Sequence, residues 1–127
     1  AAGLKRLGLL EQDTYEYTFL APEEFIPAGG QGLMAVEAKA GTAAHSLAQA
    51  MDHAQGRLCL DLERSVLKQL DAGCHEPIGI YSVLQNEQLE VWGISSPREE
   101  VKRIHLTGGT SRRDIEKLAS EAWKGLM

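Results

Sequence analysis

Residues 78–106 read IGIYSVLQNEQLEVWGISSPREEVKRIHL, and this stretch decides the fold. Three short runs rich in β-branched and aromatic residues predict three strands, at about residues 78–84, 89–95 and 101–106. Asn86-Glu87 lies where a hairpin turn would be, and Ser96-Pro97 marks the next break. The stretch therefore predicts a small three-stranded antiparallel sheet.

The clearest helix is predicted after these strands. Ser111 with Asp114 resembles a capping box at its start. Apolar residues then recur at helical spacing, namely at Ile115, Leu118, Ala119, Ala122, Trp123 and Leu126. A helix with this pattern has one complete apolar face, which can cover the sheet.

Two further helices are predicted before the strands. Thr42 can cap a helix that runs to about Met51, with Leu47 and Met51 on one face. A second helix should run from about Gln55 to Leu70 on an apolar stripe formed by Leu58, Leu62, Val66, Leu67 and Leu70. Asp71-Ala72-Gly73 should end it, because glycine readily adopts the left-handed conformation at a helix C-terminus.

The order helix, helix, three strands, helix indicates an α+β domain over residues 42–127, with a small three-stranded antiparallel sheet covered by helices. Residues 1–41 differ, because Pro22, Pro27 and Gly29-Gly30-Gln31-Gly32 interrupt them. Residues 33–38 are short and mostly apolar, which suits a buried strand without obvious partners. We expect partial strand and loop segments in this first part of the chain.

Composition and charge exclude several classes of function. The 127 residues contain 13 Lys plus Arg and 18 Asp plus Glu, a net charge of -5, whereas a protein that binds nucleic acid generally carries a basic excess. Apolar runs are far shorter than the roughly 18 residues that cross a bilayer. Two cysteines, Cys59 and Cys74, are too few for a disulfide framework and fit a reducing, cytoplasmic setting. We expect no nucleic acid and no membrane partner.

Cys74 is the most informative candidate for chemistry. It lies just beyond the end of the predicted second helix, so its thiol should sit on a loop. The alternative is a buried and inert thiol, since free cysteine behaves as a small hydrophobic residue. Cys59 lies inside the amphipathic helix and should serve core packing.

Two other segments are candidates for anion binding. Gly29-Gly30-Gln31-Gly32 carries few bulky side chains, which lets backbone N–H groups approach a ligand, although a strained turn is the alternative. Lys5-Arg6 offers adjacent cations, and Arg can hold a carboxylate through two hydrogen bonds, although a solvated surface pair is the alternative. The four His are scattered without a metal-ligand spacing, so no metal site is predicted.

These residues occur together in an order that resembles the C-terminal part of the porphobilinogen deaminases, also called hydroxymethylbilane synthases. The motifs are AGLKRLG at 2–8, PAGGQG at 27–32 before Val36-Glu37, Glu63-Arg64, and GCHEPIG at 73–79. The resemblance covers essentially the whole chain, and the combination of four motifs in the right order makes it specific. One departure is Ala72, where the family usually has the first of two glycines before the cysteine.

The resemblance implies a three-domain transferase that joins four porphobilinogen molecules head to tail, with loss of ammonia, into the linear tetrapyrrole hydroxymethylbilane. It implies a dipyrromethane cofactor attached by a thioether to Cys74. It also implies that Arg6 contacts the carboxylates of the pyrroles, and that Gln31 and Gly32 line the cofactor cleft. Residues 1–41 would close the second domain and return to the first, and residues 42–127 would form the cofactor-carrying domain.

The resemblance further implies that the catalytic aspartate belongs to an N-terminal half. The chain begins Ala1-Ala2-Gly3, without an initiator Met or a signal-peptide pattern, so we expect a piece of a longer protein that is inactive alone. Its expected partners are porphobilinogen, the growing pyrrole chain, the N-terminal half and, through residues 1–41, a second copy. The alternative hypothesis is a noncatalytic interaction or regulatory domain derived from the same family.

Overall fold

The computed structural model describes residues 2–10, 16–69, 77–96 and 99–127. Its elements in chain order are α1 (Ala2–Arg6), α2 (Ala43–Ala50), α3 (Ala54–Gln69), β1 (Ile78–Gln85), β2 (Gln88–Ser95), β3 (Lys102–Gly108) and α4 (Arg112–Leu126). The strands form one antiparallel sheet in the order β1-β2-β3, and α3 and α4 pack on one of its faces. The predicted α+β class is confirmed.

A two-residue turn joins β1 to β2, as the sequence predicts. Gln85 pairs with Gln88, and the φ angles are +49° at Asn86 and +62° at Glu87. Positive φ at both central residues is the geometry of a type I′ turn, whose twist matches that of the two strands. Asn tolerates this conformation, whereas a longer side chain such as Glu is strained in it.

The hydrophobic core lies between the helices and one face of the sheet. Alternation along β2 buries Leu89 and Val91 completely, and Ile80 of β1 lies on the same face. The helices contribute the remaining buried apolar side chains, which are Leu62, Val66, Ile115, Leu118, Ala119, Ala122 and Leu126. Most of the two predicted stripes therefore lies in the core or packs against it, whereas Trp123 is only half-buried and Leu70 lies outside the described residues.

Both predicted N-caps are present. The Ser111 hydroxyl accepts a hydrogen bond from the Asp114 N–H at 3.2 Å and begins α4. The Thr42 hydroxyl accepts from the His45 N–H at 3.2 Å and begins α2. Each bond satisfies one of the backbone donors that lack an intrahelical partner at a helix start.

Two expectations for the first half of the chain differ from the structure. Residues 33–38 form no strand, and Met34 is 90% exposed. A strand needs a hydrogen-bonded neighbour, and within the described residues the only sheet is the three-stranded one, which this segment does not join. Leu47 of α2 and Met51, which follows this helix, are also exposed, so their shared apolar face is not buried against the described residues.

Several other expectations lie outside the described residues. They include the end of the second helix at Leu70, its stop at Asp71-Ala72-Gly73, and the break at Pro97. Within the described ranges, no helix is long and apolar enough to cross a membrane. The same residues contain no group of three or more His, Cys, Asp or Glu that could hold a metal ion.

Candidate functional site

The glycine-rich loop at residues 27–33 is built from two overlapping turns. The Gln31 N–H donates to Ala28 O at 3.1 Å, and the Leu33 N–H donates to Gly30 O at 3.2 Å. Gly30 and Gly32 have φ angles of +75° and +89°, which glycine adopts without steric penalty. The two turns therefore favour glycine at positions 30 and 32. The side chain of Gln31, which lies between these two glycines, is exposed.

This loop packs into the angle between α3 and β1. A Cβ atom at Gly29 would lie 2.7 Å from a methyl carbon of Ile80 and 2.7 Å from one of Leu67, so any larger residue would force these side chains to move. The Ile80 N–H also donates to Pro27 O at 2.8 Å, which ties the loop to the edge strand β1. Leu67 lies in the last turn of α3, and Ile80 is the third residue of β1.

Glu63 of α3 joins the loop to β1. Its side chain is buried, with the residue only 5% exposed. Oε2 accepts a hydrogen bond from the Gly30 N–H at 2.7 Å, and Oε1 accepts one from the Ser82 N–H at 2.8 Å. The Ser82 hydroxyl lies 2.9 Å from Oε1 and 3.1 Å from Cys59 O, and its single hydrogen can serve either acceptor. Each carboxylate oxygen therefore accepts a hydrogen bond from one backbone N–H group.

A cavity of about 290 Å³ lies beside this contact. It is lined by residues 31–33 of the loop, by His53 and the first turns of α3, and by residues 81–84 of β1. Ligand pockets commonly span roughly 300–1,000 Å³, so its size suits one small group or part of a larger one. Gln31 and Gly32 thus border a cavity, and their predicted contact with a cofactor stays a prediction.

Cys59 lines the same cavity from α3. Burial raises the pKa of its thiol, and a hydrogen bond with Ser82 opposes that shift without cancelling it. A thiol with a raised pKa is a poor nucleophile at neutral pH. Cys59 also packs against the hydrophobic core, which confirms its predicted packing role.

Arg6 lies in the last turn of α1, which ends in a Schellman motif. The Gly8 N–H donates to Lys5 O at 3.0 Å, the Leu9 N–H donates to Leu4 O at 3.0 Å, and Gly8 has φ of +68°. Arg6 is exposed, and with the described residues its guanidinium forms no hydrogen bond or ion pair. Within the described residues, no hydrogen bond or ion pair joins Arg6 to the glycine-rich loop, so its role stays a prediction.

Cys74 lies outside the described residues, and its role also stays a prediction. Residues 70–76, which contain it, connect α3 to β1 in the sequence. These two elements are the ones against which the glycine-rich loop packs.

The sequence interpretation missed Glu63 and Ser82 as site residues. Glu63 was noted only as part of a motif, and an acidic residue in an amphipathic helix is normally exposed. One signal was present, because Glu63 follows Cys59 by four residues and precedes Val66 by three, which places it on the core face of α3.

Two family models match the chain. Residues 57–124 match "Porphobilinogen deaminase, C-terminal domain", and residues 1–46 match "Porphobilinogen deaminase, dipyromethane cofactor binding domain". The second description names the cofactor class that the resemblance implies, so the expected class is confirmed, whereas the attachment at Cys74 stays a prediction. Gly30 falls in one matched region and Glu63 in the other, so their hydrogen bond connects the two.

Curated proteins that are similar to this chain are named porphobilinogen deaminase. A porphobilinogen deaminase of Clostridium kluyveri is 43% identical over 94 residues, which are 74% of this chain and 31% of the relative. Those of Coxiella burnetii and Chromobacterium violaceum are 39% and 40% identical over 95 residues, 74% of this chain and 30% of each relative. The chain thus spans about a third of the length of the curated relatives it matches. This chain belongs to the porphobilinogen deaminase family.

Proposed function

We propose that this chain is the C-terminal portion of a hydroxymethylbilane synthase and that Cys74 carries its dipyrromethane cofactor. The full enzyme would join four porphobilinogen molecules head to tail, with loss of ammonia. The observation that carries the proposal is the packing of Gly29 between Leu67 and Ile80. This packing places the glycine-rich loop on the two elements that flank the Cys74 segment in the sequence.

Cys74 would act as an anchor. A thiolate would add to the methylene carbon of a pyrrole that has already lost its ammonia, and the resulting C–S bond would keep the bound group in place through repeated cycles. When bound, dipyrromethane supplies a free pyrrole α-carbon to which the next porphobilinogen is joined. The thiol would not be regenerated at each turnover.

Gln31 and Gly32 would contact the bound group from the loop. The residues present fit this role: no described atom comes within 4 Å of the position of a Cβ at Gly32, so a ligand can approach the backbone there. The exposed Gln31 amide provides both a donor and an acceptor. Arg6 would pair with pyrrole carboxylates, which match the two parallel N–H groups of a guanidinium.

The remaining parts of the proposal concern the rest of the enzyme. Residues 42–127 would form the cofactor-carrying domain, and residues 1–41 would belong to the two preceding domains. An N-terminal half would supply the catalytic acid or base, so the chain alone would not make tetrapyrrole. Its partners would be porphobilinogen and the growing pyrrole chain. Two cysteines are too few for a disulfide framework, which supports a cytoplasmic enzyme.

A fusion enzyme tests the proposal. It joins the N-terminal part of the Clostridium kluyveri relative, up to the region that this chain matches, to residues 1–127. Intact mass spectrometry after expression should show two added pyrrole units on the unmodified fusion and on Cys59→Ser, and none on Cys74→Ser. An active fusion enzyme with an unmodified Cys74, or a loaded Cys74→Ser variant, would overturn the attachment. A fusion that folds but neither loads cofactor nor makes tetrapyrrole would favour the noncatalytic alternative.

A further inference from the structure

The two oxygens of Glu63 divide their hydrogen bonds between two parts of the chain. Oε2 takes the Gly30 N–H of the loop, and Oε1 takes the Ser82 N–H of β1. The partners lie 33 and 19 residues from Glu63 in the sequence, so neither contact is local. A buried carboxylate is costly unless it is fully hydrogen-bonded, and both backbone donors here point at it.

This geometry requires a carboxylate and not simply a polar side chain. A glutamine has the same length, but one of its two terminal atoms is an NH2 donor. Either orientation of that amide would place the NH2 group against a backbone N–H, of Gly30 or of Ser82. An aspartate keeps the charge but is one methylene shorter, so it cannot span the same two groups. Neither substitution preserves both bonds.

The hydrogen bond between Glu63 and the Gly30 N–H fixes the orientation of the part of the loop that carries Gln31. Gly29 is held by packing and Pro27 by one hydrogen bond, and both lie before the second turn of the loop, which spans residues 30–33. The Gly30 N–H is the last point at which the loop is bonded to α3 before Gln31 and Gly32. Without it, rotation about the Gly30 backbone can redirect the Gln31 amide, because glycine has many accessible conformations.

We infer that Glu63 is a positioning residue, which holds the Gly30 turn so that Gln31 and Gly32 face the bound cofactor. This inference rests on the proposed function for the identity of the cofactor. Glu63 touches neither cofactor nor substrate in this role and acts only through the loop. Its removal should therefore impair cofactor loading more than its effect on stability explains.

Amide exchange in the 127-residue chain tests the structural part. Glu63→Met, which keeps nearly the same length and carries no oxygen acceptor, should exchange the Gly30 amide about tenfold faster or more, since a hydrogen bond to a charged group is lost. Ser82→Ala is the matched control, because it removes a hydroxyl donor to the same carboxylate and leaves the Gly30 bond in place. If Glu63→Met does not fold, Glu63→Leu serves in its place. Unchanged Gly30 protection in a folded Glu63 variant would overturn the inference.

Cofactor loading in the fusion enzyme tests the functional part. Intact mass over time should show loading slowed about tenfold or more in the Glu63 variant, as expected for a lost charge-assisted bond, and little changed in Ser82→Ala. Both variants are compared at equal fractions of folded protein. Equal slowing in the two would mean that Glu63 acts only through stability and would overturn the inference. A loaded Cys74→Ser variant would instead overturn the proposed function, so the two failures are distinguishable.

Discussion

Gly29 lies so close to Ile80 that an added Cβ atom would stand 2.7 Å from its Cγ2 methyl. The same atom would stand 2.7 Å from Leu67 Cδ1, so the loop backbone is held between α3 and β1. The requirement for glycine at this position comes from space, since its φ is not in the left-handed region. Close packing at one residue thus attaches the glycine-rich loop to the domain.

Gly29→Ala should therefore destabilise the chain by about 1–3 kcal/mol, the usual cost of overpacking a filled site. Urea unfolding followed by circular dichroism measures the loss. Gly3→Ala is the control, because apart from its chain neighbours and the backbone of its own helix no described atom lies within 4 Å of its Cβ position, and alanine favours the α1 helix. The control should be neutral or slightly stabilising. A Gly29→Ala chain as stable as the parent would show that the loop does not pack as described.

The β1–β2 turn offers a stabilising substitution. Glu87 has φ of +62°, and Glu87→Gly should relieve this strain and stabilise the chain by about 0.5–1 kcal/mol, after the extra freedom of glycine in the unfolded chain is subtracted. Asn86→Gly should gain less, because Asn adopts positive φ more readily. Thermal unfolding compares the two. A destabilised Glu87→Gly variant would contradict the type I′ geometry.

The cap of α4 is the third test. Ser111→Ala should cost about 1 kcal/mol, since the Asp114 N–H loses its acceptor. Ser111→Thr keeps the hydroxyl and should stay within a few tenths of a kcal/mol of the parent, because Ser and Thr are both good caps. The difference in stability follows from the urea midpoints of the three proteins, provided that the dependence of unfolding free energy on urea concentration is the same in each. Equal losses in the two variants would mean that the hydroxyl does not cap the helix.

The elements that the sequence predicted well are those with local causes. The three strands and the hairpin followed from residue type and turn position, and α4 followed from its cap and its periodic apolar face. Residues 33–38 were wrongly predicted as a strand because pairing depends on a neighbour that a local pattern does not reveal. Apolar composition alone therefore could not distinguish a strand from an exposed segment.

The candidate site was predictable only in part, for a related reason. Gln31 and Gly32 were singled out because glycine clustering is visible locally. The burial of Glu63 depends on Gly30 and Ser82, which are distant in the sequence and become its neighbours only after folding. A helical acidic residue reveals such a role only if its position on the core face is noticed.

The last prediction concerns the pH dependence of stability. Burial raises the pKa of Cys59 above its ordinary value of 9.0, so the folded chain keeps the thiol proton to higher pH than the unfolded chain does. As the pH rises above about 9, the unfolded chain releases this proton first, and proton release favours unfolding. The contribution of Cys59 to stability is therefore full below that pH and is lost as the pH rises toward the folded pKa.

Cys59→Ala isolates this effect. Cys74 is present in both proteins, and so is Tyr81, whose pKa burial also raises, so their contributions to the pH dependence cancel in the comparison. Urea unfolding under reducing conditions at pH 7.5 and about pH 10 should show a larger loss of stability in the parent than in the variant. The comparison uses the change with pH, because the smaller alanine also lowers stability at every pH. Equal losses of stability in the two proteins would mean that folding does not raise the pKa of the Cys59 thiol.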